Sequence, residues 1–295
     1  MNRILLQTTI PPTADDWSIA RFSLLHEHLA AARDAHGAPL FEVTARDRAP
    51  VGRPDPVLST LDESSFDQVW LFAVDTGDGL TAEDCAGLAR FRRRGGGLML
   101  TRDHMDLGSS LCLLGDTAGA AHHFHTRNPD PDVSRRCVDD TQTPEILWPN
   151  YHSGANGDFQ DVRVLGDPHP LLRDAESPTG LVRYLPSHPH EGAVSAPAGD
   201  AGAREILEGC SRATGRPFAL AVVFEPGGGL GPALAQSTFH HFCDYNWDVA
   251  RGAPSFVSEP PGDGMARHPE ALRSTRRYAL NVARWLAGRL EPSPW

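Results

Sequence analysis

The stretch from Gln68 to Thr101 constrains the fold more than any other part of the chain. It opens with Gln68-Val69-Trp70-Leu71-Phe72-Ala73-Val74, which is apolar almost without alternation, as a strand must be when both of its faces are covered. Thr81 follows, with Asp84 three residues later, and this pairing is the signature of a helix amino terminus. The spacing predicts a helix running to Arg94, ended by Gly95-Gly96-Gly97, and a further strand at Leu98-Met99-Leu100-Thr101. A strand, a helix and a second buried strand imply a parallel sheet joined by a right-handed crossover, so the fold class is α/β.

The flanking segments fit that unit. Arg3 to Thr9 is short, apolar and β-prone, Pro11 and Pro12 stop it, and Asp15 or Asp16 caps a helix expected to reach about Ala35. Phe41 to Thr44 reads as another strand. From about Asp116 to Gly202 the pattern loosens into Pro, Gly, Asp and His, with one strand expected at Asp161 to Leu165. Tryptophan, tyrosine and histidine recur there, which favours ordered loops over disorder. Strand character returns at Phe218 to Phe224 and at Pro232 to Thr238, on either side of a Gly-rich turn at Gly227 to Gly231. A closing helix is expected over Pro269 to Leu290, with Leu272, Tyr278, Val282, Trp285 and Leu286 near helical spacing. At 295 residues with 40% hydrophobic content, residues 1–295 read as one elaborated domain.

The net charge of -11 leaves no basic excess to displace counterions from phosphates, so nucleic acid is not an expected partner. The densest basic stretch, Arg90 to Arg94, falls where a helix should end and complements its dipole. The five cysteines at 85, 112, 137, 210 and 243 are scattered without a Cys-x-x-Cys pair, and the first residues lack the basic start of a secretory signal. No run approaches the roughly 18 apolar residues of a membrane span. These features predict a cytoplasmic protein with neither nucleic acid nor a membrane as its partner; self-association is left open.

Ligands of an open parallel sheet collect beyond the carboxyl ends of its strands. Three polar clusters follow expected strands and should share one rim: Asp75 to Gly79, Arg102 to Gly108, and Phe239 to Trp247. The 14 histidines are about twice ordinary usage for this length. They group as His122, His123 and His125; as His188 and His190 beside Glu191; and as His240 and His241 near Asp244, with His104 and His152 joining them. Imidazoles with carboxylates suit acid–base chemistry near neutral pH or a divalent transition metal such as Zn or Fe. The expected catalytic set is Asp103, His104, His190, Glu191, His240 and His241, and the metal-ligand candidates are His104, His188, His190 and His241.

On an extended segment His240 and His241 point apart, whereas His188 and His190 share a face and Glu191 is placed to orient one of them. Cys112 and Cys243 read as small buried hydrophobes rather than nucleophiles. The Gly-rich tracts precede strands, so they are turns and not phosphate cradles.

The order of these pieces resembles the trehalose-utilisation protein ThuA and its relatives in the class I glutamine amidotransferase-like superfamily. The resemblance is carried by the turn before Leu98 to Thr101 with His104 at the strand end, and by Val162 to Leu165 leading to Asp167-Pro168-His169-Pro170-Leu171-Leu172. The strand ending in His240 and His241 and the closing helix with Asn281 and Trp285-Leu286-Ala287 complete it. It implies a flavodoxin-like three-layer fold with long loop insertions, and activity on sugars or related polar metabolites. Amidotransferases of the superfamily place a cysteine at the strand-end elbow, where this chain has Arg102-Asp103-His104-Met105. Glutamine hydrolysis is therefore not expected, and hydrolysis by an activated water or proton transfer next to a carbonyl takes its place. A non-catalytic binding or scaffold protein on the same fold is the alternative.

Overall fold

The computed structural model describes residues 1–115 and 118–290; Asp116, the expected start of the loose stretch, lies outside the described residues. Eight strands form the central sheet: β1 (Asn2–Thr8), β2 (Phe41–Arg46), β3 (Gln68–Phe72), β4 (Gly97–Thr101), β5 (Arg163–Val164), β6 (Ala203–Cys210), β7 (Pro217–Phe224) and β8 (Ala233–Gln236). Their order is β2-β1-β3-β4-β8-β7-β6-β5. The five strands from β2 to β8 pair in parallel, and β7, β6 and β5 extend the sheet in antiparallel fashion.

The sheet is thus mixed rather than purely parallel. The strand β6 was not expected: its sequence, Ala-Arg-Glu-Ile-Leu-Glu-Gly-Cys, carries charges on a half-exposed edge region and breaks register around Leu207. The Gly-rich turn at 227–231 joins β7 to β8 as a hairpin, so β8 enters the parallel half from its far side.

Helices cover both faces. Helix α1 (Ser23–Ala30) and the closing helix α3 (Pro269–Leu286) lie on one side, and α2 (Ala82–Arg93) on the other. Alternation within β4 serves both layers: Met99 packs with Leu25, Tyr278 and Val282, while Leu98 and Leu100 pack with Leu88, Phe91 and Leu111. The first helical region is shorter than expected. A 3-10 turn capped by Ser18 precedes α1, because Asp244, rather than Asp15 or Asp16, caps the helix through the backbone amides of Ser23 and Leu24. Thr81 and Asp84 form the expected reciprocal cap of α2, and α3 ends at Leu286. All five cysteines are unpaired thiols. Among the described residues no helix is long and apolar enough to cross a membrane.

Candidate active site at the carboxyl end of the sheet

Strands β4 and β8 are parallel neighbours in the register Gln236 to Thr101, so the chain leaves both at the same rim, side by side. The Phe239 amide donates to the Arg102 carbonyl at 2.9 Å and fixes the two exits together. After β4 the chain turns tightly, with Met105 at φ 49 and the Leu107 amide returning to the His104 carbonyl at 3.0 Å. Gly108, at φ 92, closes this turn where a side chain would meet the Ala73 carbonyl at 2.9 Å. Arg102 is buried beneath the turn, its guanidinium over the Phe124 ring and bonded to the carbonyls of Asp103, Met105 and His123. Burial lowers its pKa to about 9, with Asp103 acting in the opposite sense, so Arg102 keeps its charge near neutral pH.

Above this turn five side chains from three segments meet. Asp103 Oδ1 lies 3.2 Å from His104 Nδ1, 3.6 Å from His188 Nε2 and 3.6 Å from His240 Nε2. The imidazoles of His188 and His240 stack with centroids 3.4 Å apart and an interplanar angle of 13°. His190 stands edge-on to both His104 and His188, with centroids 5.4 Å away in each case. Two overlapping sets of potential ligand atoms result: Asp103, His188 and His240, and His104, His188 and His190. Asp103, His188, His190 and His240 are buried, while the His104 side chain keeps 19% of its surface exposed and marks the open side.

Hydrogen bonds behind the cluster constrain the tautomers. Asn246 donates through Nδ2 to Asn156 Oδ1 at 2.9 Å and to the Ser187 carbonyl at 3.1 Å, which leaves its Oδ1 to accept from His240 Nδ1 at 3.2 Å. Asn156 Oδ1, already an acceptor, also accepts from His188 Nδ1 at 2.9 Å. His188 therefore presents a lone pair at Nε2 toward Asp103 when neutral, and His240 does so when its Nδ1–H is shared between Asn246 Oδ1 and the Tyr245 hydroxyl 2.9 Å away. Burial, reinforced by His240, holds the His188 pKa well below its ordinary value, so that ring is neutral. Burial alone would raise Asp103, but His104, together with His188 and His240, outweighs it and holds the carboxyl well below the usual carboxylate range.

His190 is anchored on the outer side. Its Nε2 lies 2.6 Å from Asp140 Oδ2 and 2.6 Å from Thr143 Oγ1, and 3.8 Å from Glu259. Burial and the adjacent His104 lower its pKa, with Asp140 opposing. A cavity of about 180 Å³, lined by Asn156, Tyr245, Val249, Val257 and Glu259 among others, adjoins the residues that back the cluster. A larger cavity, about 630 Å³, is lined by Asn2, Asp67 and Gly96 at the opposite end of the sheet and touches none of these groups.

Of the residues singled out in the sequence, Asp103, His104, His188, His190 and His240 come together. His241 and Glu191 do not join them; they form a separate buried cluster, with His241 Nε2 3.4 Å from Glu191 Oε2. The Glu191 carboxylate also accepts from Ser237 at 3.0 Å and from Ser153 and Gln160, so, contrary to expectation, it does not orient His188 or His190. His240 and His241 diverge, but on a 3-10 turn (Phe239–His241) rather than a strand. His188 and His190 do converge, although Pro189 and His190 form a turn and not an extended run.

The remaining candidates serve the scaffold. Asp244 caps α1, and Asp75 binds Gly77 and Ser110 through its carboxylate. His123 bonds Ser195, His125 the Trp148 carbonyl, and His152 the Pro189 carbonyl. Asn281 docks the Leu171 and Arg173 carbonyls, which ties the Asp167–Leu172 segment to the closing helix. Burial pushes the Cys112 thiol up to about 11 and Cys243 well above its ordinary range, so neither is an activated nucleophile. Asp140, Asn156, Tyr245 and Asn246 were not singled out for a role; only folding brings them here, since their partners lie 5 to 90 residues away.

No family model and no curated protein matches the sequence. Among solved structures, the chain is similar to the mmIFT52 N-terminal domain, with a TM-score of 0.53 at 11% identity over 96% of this chain and 97% of that one. It is also similar to the glutaminase domain of Trypanosoma brucei CTPS with bound acivicin, with a TM-score of 0.51 at 13% identity over 99% of this chain and 96% of that one. At such identities the likeness concerns the fold. The chain has an α/β, flavodoxin-like fold, shared with that glutaminase domain.

Proposed function

We propose that this protein is a ThuA-like enzyme acting on a small polar metabolite, by hydrolysis or proton transfer, at the cluster around Asp103. The observation that supports this reading most is the convergence of Asp103, His104, His188, His190 and His240 at the carboxyl rim of a parallel sheet, with His104 on the side open to solvent. The resemblance of segment order to ThuA supports a sugar-related substrate. The turn after β4 carries Asp103 and His104 in place of a cysteine, so acyl transfer from glutamine to a thiol is not the chemistry proposed.

The residues divide the work by their surroundings. His190, held by Asp140 and Thr143, is oriented like an acid–base imidazole whose carboxylate partner fixes its ring. His104, bonded through Nδ1 to Asp103, keeps Nε2 available on the open side for a substrate hydroxyl or carbonyl. The buried Arg102 beneath the turn supports the negative charge of Asp103. Turnover of a panel of sugars and sugar-derived carbonyl compounds, followed by NMR, tests the reading. Conversion that falls by at least about 10²-fold in His190→Gln and Asp103→Asn is expected; conversion unaffected by both would refute the assignment. A non-catalytic ligand-binding role is favoured by the missing cysteine alone, and would show as saturable binding without turnover.

A further inference from the structure

We infer that Asp103, His188 and His240 form the three-ligand site of a divalent transition-metal ion, with His104 and His190 standing on its open side. This site deepens the proposed function, on whose choice of residues it rests, but its test does not depend on turnover.

Unsatisfied acceptors point to it. Asn156 requires Nδ1–H on His188, and Asn246 favours it on His240, whose Nδ1 also meets the Tyr245 hydroxyl; in that state two Nε2 lone pairs and a carboxylate oxygen face one another without a proton between them. His188 Nε2 is buried and has no hydrogen-bond partner among the described residues, an arrangement that is destabilising when nothing compensates it. Protons are a poor remedy, because two imidazolium rings stacked 3.4 Å apart would repel each other. Protonating His240 alone would still leave His188 Nε2 without a partner.

A cation between the three atoms would engage all of them once the His188 and His240 rings, stacked at 13°, tilt apart to aim both Nε2 lone pairs at one point. Ligand bonds of about 2.0–2.2 Å in a tetrahedral arrangement place neighbouring ligand atoms about 3.4 Å apart. Both imidazole nitrogens lie 3.6 Å from Asp103 Oδ1, beyond hydrogen-bonding distance and close to that spacing. Two imidazoles and one carboxylate form a donor set suited to Zn or Fe(II) and leave further positions for water or substrate. The supporting shell is of the kind that metal-bound histidines have: Asn156 holds His188, and Asn246 with Tyr245 holds His240. Of the ligands expected from the sequence, His104, His188, His190 and His241, only His188 belongs to this set. His241 is excluded by its bonds to Gln236 and Glu191, and His190 is turned by its Nε2 toward Asp140 and Thr143.

The test is titration of chelator-treated full-length protein with Zn(II) and Co(II), read by calorimetry and by the Co(II) absorption spectrum. One equivalent is expected to bind. Affinity should fall at least about 100-fold in Asp103→Asn and His188→Gln, by about 10- to 100-fold in Asn246→Leu, and by less than about 10-fold in His104→Gln. Should a ligand variant fail to fold, imidazole ¹⁵N NMR of the wild-type chain decides instead, through Zn-dependent shifts of Nε2 in two histidines with protonated Nδ1. Absence of stoichiometric binding, unchanged affinity in both folded ligand variants, or shifts confined to other histidines would overturn the site. Turnover by protein that binds no metal in the titration would overturn the site while sparing the proposed function; metal binding without turnover on any substrate would do the reverse.

Discussion

His240 and His241 are adjacent in sequence, as are His190 and Glu191, yet each pair is divided between two buried clusters of opposite character. Around Glu191 nearly every principal group has a partner, Gln160 Oε1 being the exception among the described residues. Tyr278 donates to Gln236 Oε1 at 2.7 Å, Gln236 donates to His241 Nδ1 at 2.7 Å, and His241 Nε2–H faces the Glu191 carboxylate, which also accepts from Ser153, Gln160 and Ser237. Around Asp103 the opposite holds: acceptors face acceptors, and one imidazole nitrogen is unpartnered among the described residues. A densely paired buried network rigidifies a core, whereas facing acceptors held in place by their surroundings call for an explanation of their own, such as a bound ion.

Mutation should therefore cost the two clusters unequally. Glu191→Ala should destabilise the fold by about 3–5 kcal/mol, because it strips a buried charge from a network built around it. Asp103→Asn in metal-free protein should cost less than Glu191→Ala, since the amide weakens the contact with His104 but can donate to one of the facing lone pairs. Urea unfolding of the two variants measures both, and equal losses would erase the distinction between the clusters.

A third buried histidine sharpens the contrast through pH. His122 has no ion pair among the described residues, and burial, aided by the nearby charges of Arg102 and His123, lowers its pKa to about 3. The unfolded chain takes up a proton near pH 6.5 while the folded chain refuses it down to about pH 3. Stability is therefore intact above about pH 6.5 and declines as the pH falls toward 3, by about 2 kcal/mol from this residue at pH 5. His122→Leu should flatten that part of the profile, as measured by denaturant midpoints at about pH 7 and pH 5.

Smaller effects test how tightly the clusters are separated. In Gly192→Ala the added carbon would lie 2.5 Å from Arg102 Nε and 2.7 Å from the Ser237 carbonyl, so a loss of about 1–3 kcal/mol in thermal or urea unfolding is expected. Tyr278→Phe removes one buried hydrogen bond at the far end of the densely paired network and should cost about 1 kcal/mol by the same measurement.

What the residues determined by themselves was local. The apolar run of β3, the Thr81–Asp84 cap and the glycine turn before β4 depend on neighbours within a few positions, and they suffice to place Arg102 to His104 at a strand end. The charge balance and the divergence of His240 from His241 were legible for the same reason. The pairing of β4 with β8, by contrast, joins segments more than about 130 residues apart, and the antiparallel strand β6 is held by its neighbours rather than by its own pattern. Only tertiary structure could decide that Asp103 faces His240, that Glu191 takes His241, and that Asn156 meets Nδ1 of His188 while Asn246 and Tyr245 meet Nδ1 of His240. Hydrogen-bond direction between buried groups depends on which partners arrive, and no spacing along the chain encodes that.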